Sequence, residues 1–341
     1  MLVGRNGHGK TSFIEALLYG EVFRSFRGAA DQELVRFGSE GFYVESVVQD
    51  RGVAVGGRRA NAQWSSVGGG QGARRVAVGY DVRTREKKVT VDGLQPARMA
   101  DAIGLVRGVV LGPGDVALVA GGPRERRRYL DVMLSLTVTG YVEALGRYRR
   151  ALKHRCRATA AELPAWERVL AETGGKIALA RRAWVEGWQE RYRGRCSGMG
   201  EAGEARLEYA PGVAGDLLAA LEKTRERDMA RGRTSVGPHR DELRLTVNGR
   251  ELRTYGSAGQ HRTAALALRL CEAETLEAPT ICLDDAFAEL DGERSVKLGA
   301  LVEGMAAEGK QVIAAVPKEG EVPDVIASLP RWRIESGQVH P

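Results

Sequence analysis

Apolar and polar positions follow three successive patterns along the chain, and each predicts different elements. From Met1 to about Gly122 the pattern is mixed. The run Ser12–Tyr19 reads as a helix. Phe42–Val48, Arg75–Val82 and Lys87–Val91 alternate as strands do, and Asp92-Gly93 supplies a turn pair. Arg51–Gly72 is rich in Gly, Ser and Arg and predicts a loop. From Pro123 the period becomes helical. Leu130, Met133, Leu134 and Leu136 mark one apolar face, and Val142, Leu145, Tyr148 and Leu152 the next. Ala165–Arg193 predicts a long helix carrying Trp166, Trp184 and Trp188. From Thr234 the mixed pattern returns. Asn248-Gly249 signals a hairpin, and Ser257–Gln260 precedes a long apolar helix reaching about Leu276. Thr280–Asp285 reads as a short buried strand ending in two carboxylates. A helix from about Arg294 and a second buried strand, Gln311–Val316, follow.

Two mixed segments flanking a helical one predict an α/β lobe built from both ends of the chain, residues 1–122 and 234–341. A helical arm lobe, residues 123–233, is inserted between them. A chain of 341 residues is long enough for two such lobes.

Composition narrows the classes. No run of apolar residues is long enough to span a membrane, and no secretion signal opens the chain. The four cysteines, Cys156, Cys196, Cys271 and Cys282, form no C-x-x-C pair, so neither a zinc site nor a disulfide framework is indicated. A reducing cytoplasm is the expected home. The net charge of +7 is unevenly placed. Pro123–Arg233 holds 23 Lys and Arg against 15 Asp and Glu, which accounts for the whole excess. A localised basic region is the footprint of a nucleic-acid partner, and equally of a solvated helical surface. Arg147, Arg150 and Arg157 share a helical face and are the first candidates for DNA contacts. Arg58, Arg59, Arg74 and Arg75 are the second set.

The chemistry starts at Gly4-Arg5-Asn6-Gly7-His8-Gly9-Lys10-Thr11, which satisfies the phosphate-loop pattern. Glycines let backbone N–H groups curl inward toward anionic oxygens, and the helix that follows adds its positive end. Lys10 is expected to reach the β- and γ-phosphates of ATP, and Thr11 to ligate Mg²⁺. Asp284, delivered by an apolar strand, is the second expected metal ligand. Asp285 is placed to orient or deprotonate an attacking water. Ser257-Ala258-Gly259-Gln260 resembles the LSGGQ signature of ABC-type ATPases, although a plain helix cap has the same composition. In that family the signature closes over the γ-phosphate held by the other subunit. Asp291, ending "AELD" (288–291), stands where the family's D-loop lies.

Longer stretches make the resemblance specific. "SVGPHRDEL" (Ser235–Leu243), "YGSAGQHRTAALALRL" (Tyr255–Leu270) and "LDDAFAELD" (Leu283–Asp291) resemble the RecF family of bacterial DNA-repair ATPases. "PGDVALVAGGPRERRRYLD" (Pro113–Asp131), the phosphate loop and "RSFRG" (Arg24–Gly28) follow the same family in the same order. The resemblance implies an ABC-type head with a short helical arm in place of the long coiled coil of its SMC relatives. It implies an ATP-dependent homodimer on double-stranded or gapped DNA, weak ATP hydrolysis, and the partners RecO and RecR, through which RecA is loaded. An SMC-like head shares the core motifs but needs sustained heptads. An ABC transporter subunit and a P-loop kinase fit less well, lacking respectively a use for the basic arm and for Ser257–Gln260. A hydrolysis-deficient DNA-binding homologue is the remaining alternative.

Three departures from the family pattern qualify it. Only Met1–Val3 precede the loop, where the family has some two dozen further residues, so its supporting strand is expected to be nearly absent. Either the true start lies upstream of Met1 or the chain is a shortened form whose sheet has lost an edge. Gly114 stands where the family has Glu. Pro317 follows the strand Gln311–Val316 where related ATPases place a Thr or His that senses the γ-phosphate. His239 and Arg240 are expected to brace the Leu243–Arg250 hairpin against the ATPase sheet. The arm tryptophans are expected to serve packing.

Overall fold

Asn248 and Gly249 both adopt positive φ, 49° and 72°, as a two-residue hairpin turn of matching twist requires. Asp92 and Gly93 do the same, at 51° and 82°. The two turn pairs read from the sequence thus fold as turns. The computed structural model describes residues 1–49, 73–287, 290–317, 324–327 and 329–340. The expected loop at 51–72 therefore lies outside the described residues, with Arg58, Arg59, Ala288 and Glu289.

In chain order the elements begin with strand β1 (Leu2–Val3), helix α1 (Lys10–Tyr19), and strands β2 (Gly41–Gln49), β3 (Ala73–Asp81) and β4 (Lys87–Val91). A short helix α2 (Met99–Ala102) leads to β5 (Gly108–Leu111). Helices α3 (Val116–Ala120), α4 (Pro123–Thr137), α5 (Tyr141–Arg155) and α6 (Leu163–Gly198) follow, then β6 (Ala205–Ala210) and α7 (Leu217–Arg231). Strands β7 (Glu242–Val247) and β8 (Arg250–Glu251) precede α8 (Leu252–Tyr255) and α9 (Ala258–Thr275). The chain closes with β9 (Thr280–Asp284), α10 (Gly292–Ala307), β10 (Gln311–Val316), β11 (Trp332–Glu335) and β12 (Gln338–His340).

These elements divide into two units, Met1–Gly114 with Glu272–Pro341, and Asp115–Cys271. The first is built from both chain ends. Its six-stranded sheet has the order β12-β11-β1-β10-β9-β5, parallel except for β12. A β2-β3-β4 meander forms a second sheet. Ile14, Leu18 and Tyr19 of α1 pack with Val76, Val78, Val89 and Val91 of the meander and with Leu2, Val110, Cys282 and Ala315 of the main sheet. Each such buried aliphatic side chain contributes roughly 1.5–3 kcal/mol.

The strand that supports the loop is, as expected, nearly absent, at two residues. The two-residue β1 lies inside the sheet and pairs with β10 on one side and β11 on the other. Each of its residues is therefore held from two directions. This is why so short a strand is ordered.

The second unit runs from 115 to 271, whereas the sequence pattern suggests 123–233. The difference has a physical cause. Strand β6, inside the expected all-helical arm, pairs antiparallel with β7 from Ala205↔Val247 to Ala210↔Glu242. That pairing draws residues 234–271 into the arm's own core. Helix α6 runs 36 residues and passes through Gly174-Gly175 without a break.

Three of the arm's arginines are internal. Arg126 pairs with Glu242 at 2.8 Å. Arg155 pairs with Glu167 at 3.1 Å and Asp228 at 2.9 Å. Arg181 bridges Asp131 and Asp241, each at 2.7 Å. All three guanidiniums are buried. Part of the basic excess therefore holds the unit together and is not available to a partner.

His239 braces a different neighbour from the one expected. Its Nδ1 lies 2.7 Å from the Tyr148 hydroxyl on α5 and its Nε2 2.9 Å from the Thr234 carbonyl. Tyr148 donates to Nδ1 and Nε2–H donates to the carbonyl, which fits a neutral ring. Burial lowers the His239 pKa accordingly. Trp184 is buried and Trp188 stacks against it at 6.2 Å, in keeping with a packing role.

Candidate nucleotide site and its supports

The phosphate loop connects β1 to α1. Gly7 and Gly9 hold φ of 83° and 102°, a region that side chains with a Cβ rarely enter. Gly9 is the N-cap of α1 and offers no side-chain cap, so the first helical turn presents N–H donors without a side-chain acceptor. Arg5 and Asn6 are exposed, whereas Lys10 is buried. Its ammonium donates to the Gly4 carbonyl at 2.7 Å and the Arg5 carbonyl at 3.3 Å. A cation thus sits inside the curl of the loop.

Strand β9 brings the acidic pair to the same place. The Thr11 hydroxyl donates to Asp284 Oδ1 at 3.0 Å. Burial raises the Asp284 pKa, and the neighbouring Asp285 charge adds to it. The Thr11 hydrogen bond and the Lys10 charge oppose the rise. Asp285 adopts φ 52°, and its N–H donates to the Ala315 carbonyl on β10 at 3.2 Å. These residues present an anion-binding curl, a cation, a hydroxyl and a carboxylate together. That donor set fits a nucleotide phosphate with a divalent ion.

Two supports were not legible in the sequence. Glu15 of α1 accepts from Ser25 and pairs with Arg27 at 3.5 Å, so "RSFRG" packs onto the helix that begins at Lys10. The turn between β11 and β12 lies against the loop itself, with the Gly337 N–H donating to the His8 carbonyl at 2.9 Å.

The remaining candidates fall elsewhere. Asp291 caps α10, accepting from the Arg294 N–H at 2.9 Å and pairing with the Arg294 side chain at 2.6 Å. Arg74 pairs with Asp92 at 2.6 Å and Arg75 with Glu45 at 2.9 Å. In the second unit, Arg147 pairs with Glu172 at 3.3 Å. Arg150 and Arg157 are exposed and make no ion pair with a described residue. Arg157 lies past the end of α5, so the expected helical stripe stops before it. Ser257 and Gln260 form a reciprocal cap on α9. The Ser257 N–H donates to Gln260 Oε1 at 3.1 Å, and the Gln260 N–H donates to Ser257 Oγ at 3.2 Å. Ala258 and Gly259 lie in the capped turn. Asp115, beside the departure at Gly114, is buried and paired with Arg269 at 2.7 Å.

Comparison with known proteins decides the family. The DNA replication and repair protein RecF of Chloroflexus aurantiacus is 35% identical over 99% of this chain and 93% of its own length. That of Frankia alni is 34% identical over 99% of this chain and 92% of its own. The chain belongs to the RecF family. No family model matches it. Among solved structures, the recombination mediator protein RecF-ATP of the RecFOR pathway superposes with a TM-score of 0.84. It shares 27% identity over 99% of this chain and 90% of that one. RecF-ATPrS superposes at 0.82 with 26% identity, covering 99% and 91%. The Smc head of Pyrococcus furiosus bound to the C-terminal domain of ScpA shares the fold, at a TM-score of 0.56 and 15% identity. The α/β unit built from both chain ends is therefore an ABC-type P-loop ATPase head of the RecF kind, and the expected fold class holds. Among the described residues no helix is long and apolar enough to cross a membrane.

Proposed function

We propose that this chain is an ATP-dependent DNA-binding protein of recombinational repair and replication restart. In this reading ATP joins two heads over double-stranded or gapped DNA, and slow hydrolysis releases them. The observation that carries the reading is the meeting of Thr11 and Asp284 beside the buried Lys10. A phosphate loop and an acidic strand end, far apart in the chain, share one site in a RecF-type head.

When bound, ATP with Mg²⁺ supplies the anion and the metal charge that this donor set matches. The loop N–H groups and the uncapped first turn of α1 would hold phosphate oxygens. Lys10 would exchange its carbonyl partners for the β- and γ-phosphates. Thr11 and Asp284 would ligate Mg²⁺, whose charge offsets the cost of ionising the buried Asp284. Asp285 would orient water or accept its proton. Ser257–Gln260 would close over the γ-phosphate held by a second copy. Asp291 would lie near that interface as the D-loop residue.

The basic surface supports the DNA reading, with Arg150 and Arg157 the freest of the candidates. Family membership supports RecO and RecR as partners and RecA loading as the outcome. Titration calorimetry of the whole chain with ATP and Mg²⁺ tests the core of the reading. The parent should bind and Lys10→Ala should not. Equal affinity in the two would contradict it.

A further inference from the structure

We infer that the C-terminal hairpin β11–β12 is a positioning element of the phosphate loop, and that Gly337 sets the direction in which the Gly9 N–H points. This inference rests on Gly4–Thr11 being the nucleotide site.

Peptide planarity carries the argument. In a trans peptide the carbonyl and the following N–H point in opposite directions. The Gly337 N–H holds the His8 carbonyl at 2.9 Å. The Gly9 N–H, across the same peptide, must therefore face away from the hairpin. Among the described residues that N–H has no acceptor. It is a donor aimed by its own carbonyl, at the residue just before Lys10.

The hairpin contributes close packing as well. A Cβ on Gly9 would lie 3.3 Å from the Gly337 Cα. A Cβ on Gly4 would overlap the Ile334 carbonyl oxygen. The hairpin thus requires a glycine at position 4 and packs tightly against the one at position 9, independently of any phosphate. The hairpin is itself anchored. β11 pairs with β1 at Leu2↔Trp332 and Val3↔Arg333, and the Trp332 N–H donates to the Met1 carbonyl at 2.8 Å. Its turn is built from Ser336 at φ 50° and Gly337 at φ 80°. A Cβ on Gly337 would meet nothing within 4 Å. A substitution there acts through backbone conformation and not through a clash.

That separation makes the test clean. Gly337→Val places a β-branched residue in a region it rarely adopts, and so moves the N–H. Gly337→Asn keeps both the left-handed conformation and the N–H. ATP affinity of the full chain is measured by calorimetry, with thermal unfolding recorded in parallel. The amide resonance of Gly9 is followed during the ATP titration. Gly337→Val should weaken ATP binding about tenfold or more and lose the Gly9 shift. Gly337→Asn should stay within about threefold of the parent and keep it. A merely structural turn would lower the unfolding temperature of Gly337→Val while its folded form bound ATP as the parent does. That result overturns the inference and leaves the nucleotide reading standing. A parent chain that binds no ATP overturns both.

Discussion

Thr11 donates its hydroxyl to Asp284 across 3.0 Å, joining positions 273 residues apart in the chain. Each residue is held by a different element. The loop fixes Thr11 at the start of α1, and the β9–β10 register, Asp284↔Ala315, fixes the end of the acidic strand. A residue that lowers the cost of the Asp284 charge thus sits beside it before any metal binds.

Thr11→Ala is therefore expected to act on Mg²⁺ more than on the nucleotide. The variant loses one proposed metal ligand and the hydrogen bond that opposes the Asp284 pKa rise. ATP affinity with Mg²⁺ should fall by about one to two decades, which is roughly 1.4–2.8 kcal/mol. Affinity in EDTA should change little. Calorimetry under the two conditions checks this, and equal losses in both would remove Thr11 from the metal.

Replacing Arg150 and Arg157 with Ala should flatten the salt dependence of DNA binding. Each phosphate contact contributes about 0.9 to the slope of log affinity against log salt, so losing two lowers it by about 2. Arg147→Ala should matter less, because its guanidinium is already shared with Glu172. Fluorescence anisotropy on duplex DNA at several salt concentrations checks both. An unchanged slope would move the DNA surface off the arm.

Stability should fall with acidification partly through His239. Its folded pKa is lowered by burial, so the folded state binds fewer protons than the unfolded chain. The contribution is present above the unfolded value of about 6.5 and is lost as pH falls below it toward the folded value. His239→Gln should be less stable than the parent by about 1–3 kcal/mol at pH 7.5, having lost buried hydrogen-bond partners. The gap should narrow toward pH 5. Urea unfolding at several pH values checks the trend, and a constant gap would contradict it.

The sequence was informative where local rules act alone. β4 ends at Asp92-Gly93 and β10 at Pro317, and both strands have the bounds their patterns suggest. The phosphate loop, its helix and the acidic strand end are local patterns too. Partners were not legible. Arg126, Arg155 and Arg181 read as surface charge because nothing near them in the chain reveals Glu242, Glu167, Asp228, Asp131 or Asp241. β6 was hidden because its outward positions, Arg206 and Glu208, continue the charged texture of the helices around it. The role of Gly337 at His8 is a contact between opposite chain ends. The Ser257–Gln260 stretch carries two readings in one pattern. Its geometry satisfies the helix cap, and a γ-phosphate contact would have to use the same exposed turn.

The central claim is that ATP joins two copies, and light scattering with ATP, ADP and no nucleotide tests it most directly. The parent should be dimeric with ATP and monomeric otherwise, since ADP lacks the bridging phosphate. Asp285→Asn should trap the ATP dimer by removing the carboxylate that handles water. Asn tolerates the left-handed backbone at that position, φ 52°, so the fold should survive. Ser257→Arg should keep monomer ATP binding and lose the dimer. It also loses the α9 cap, worth about 1 kcal/mol, so its folding is checked by circular dichroism. A parent equally dimeric in all three conditions, or a folded Ser257→Arg that still dimerises with ATP, would contradict the account.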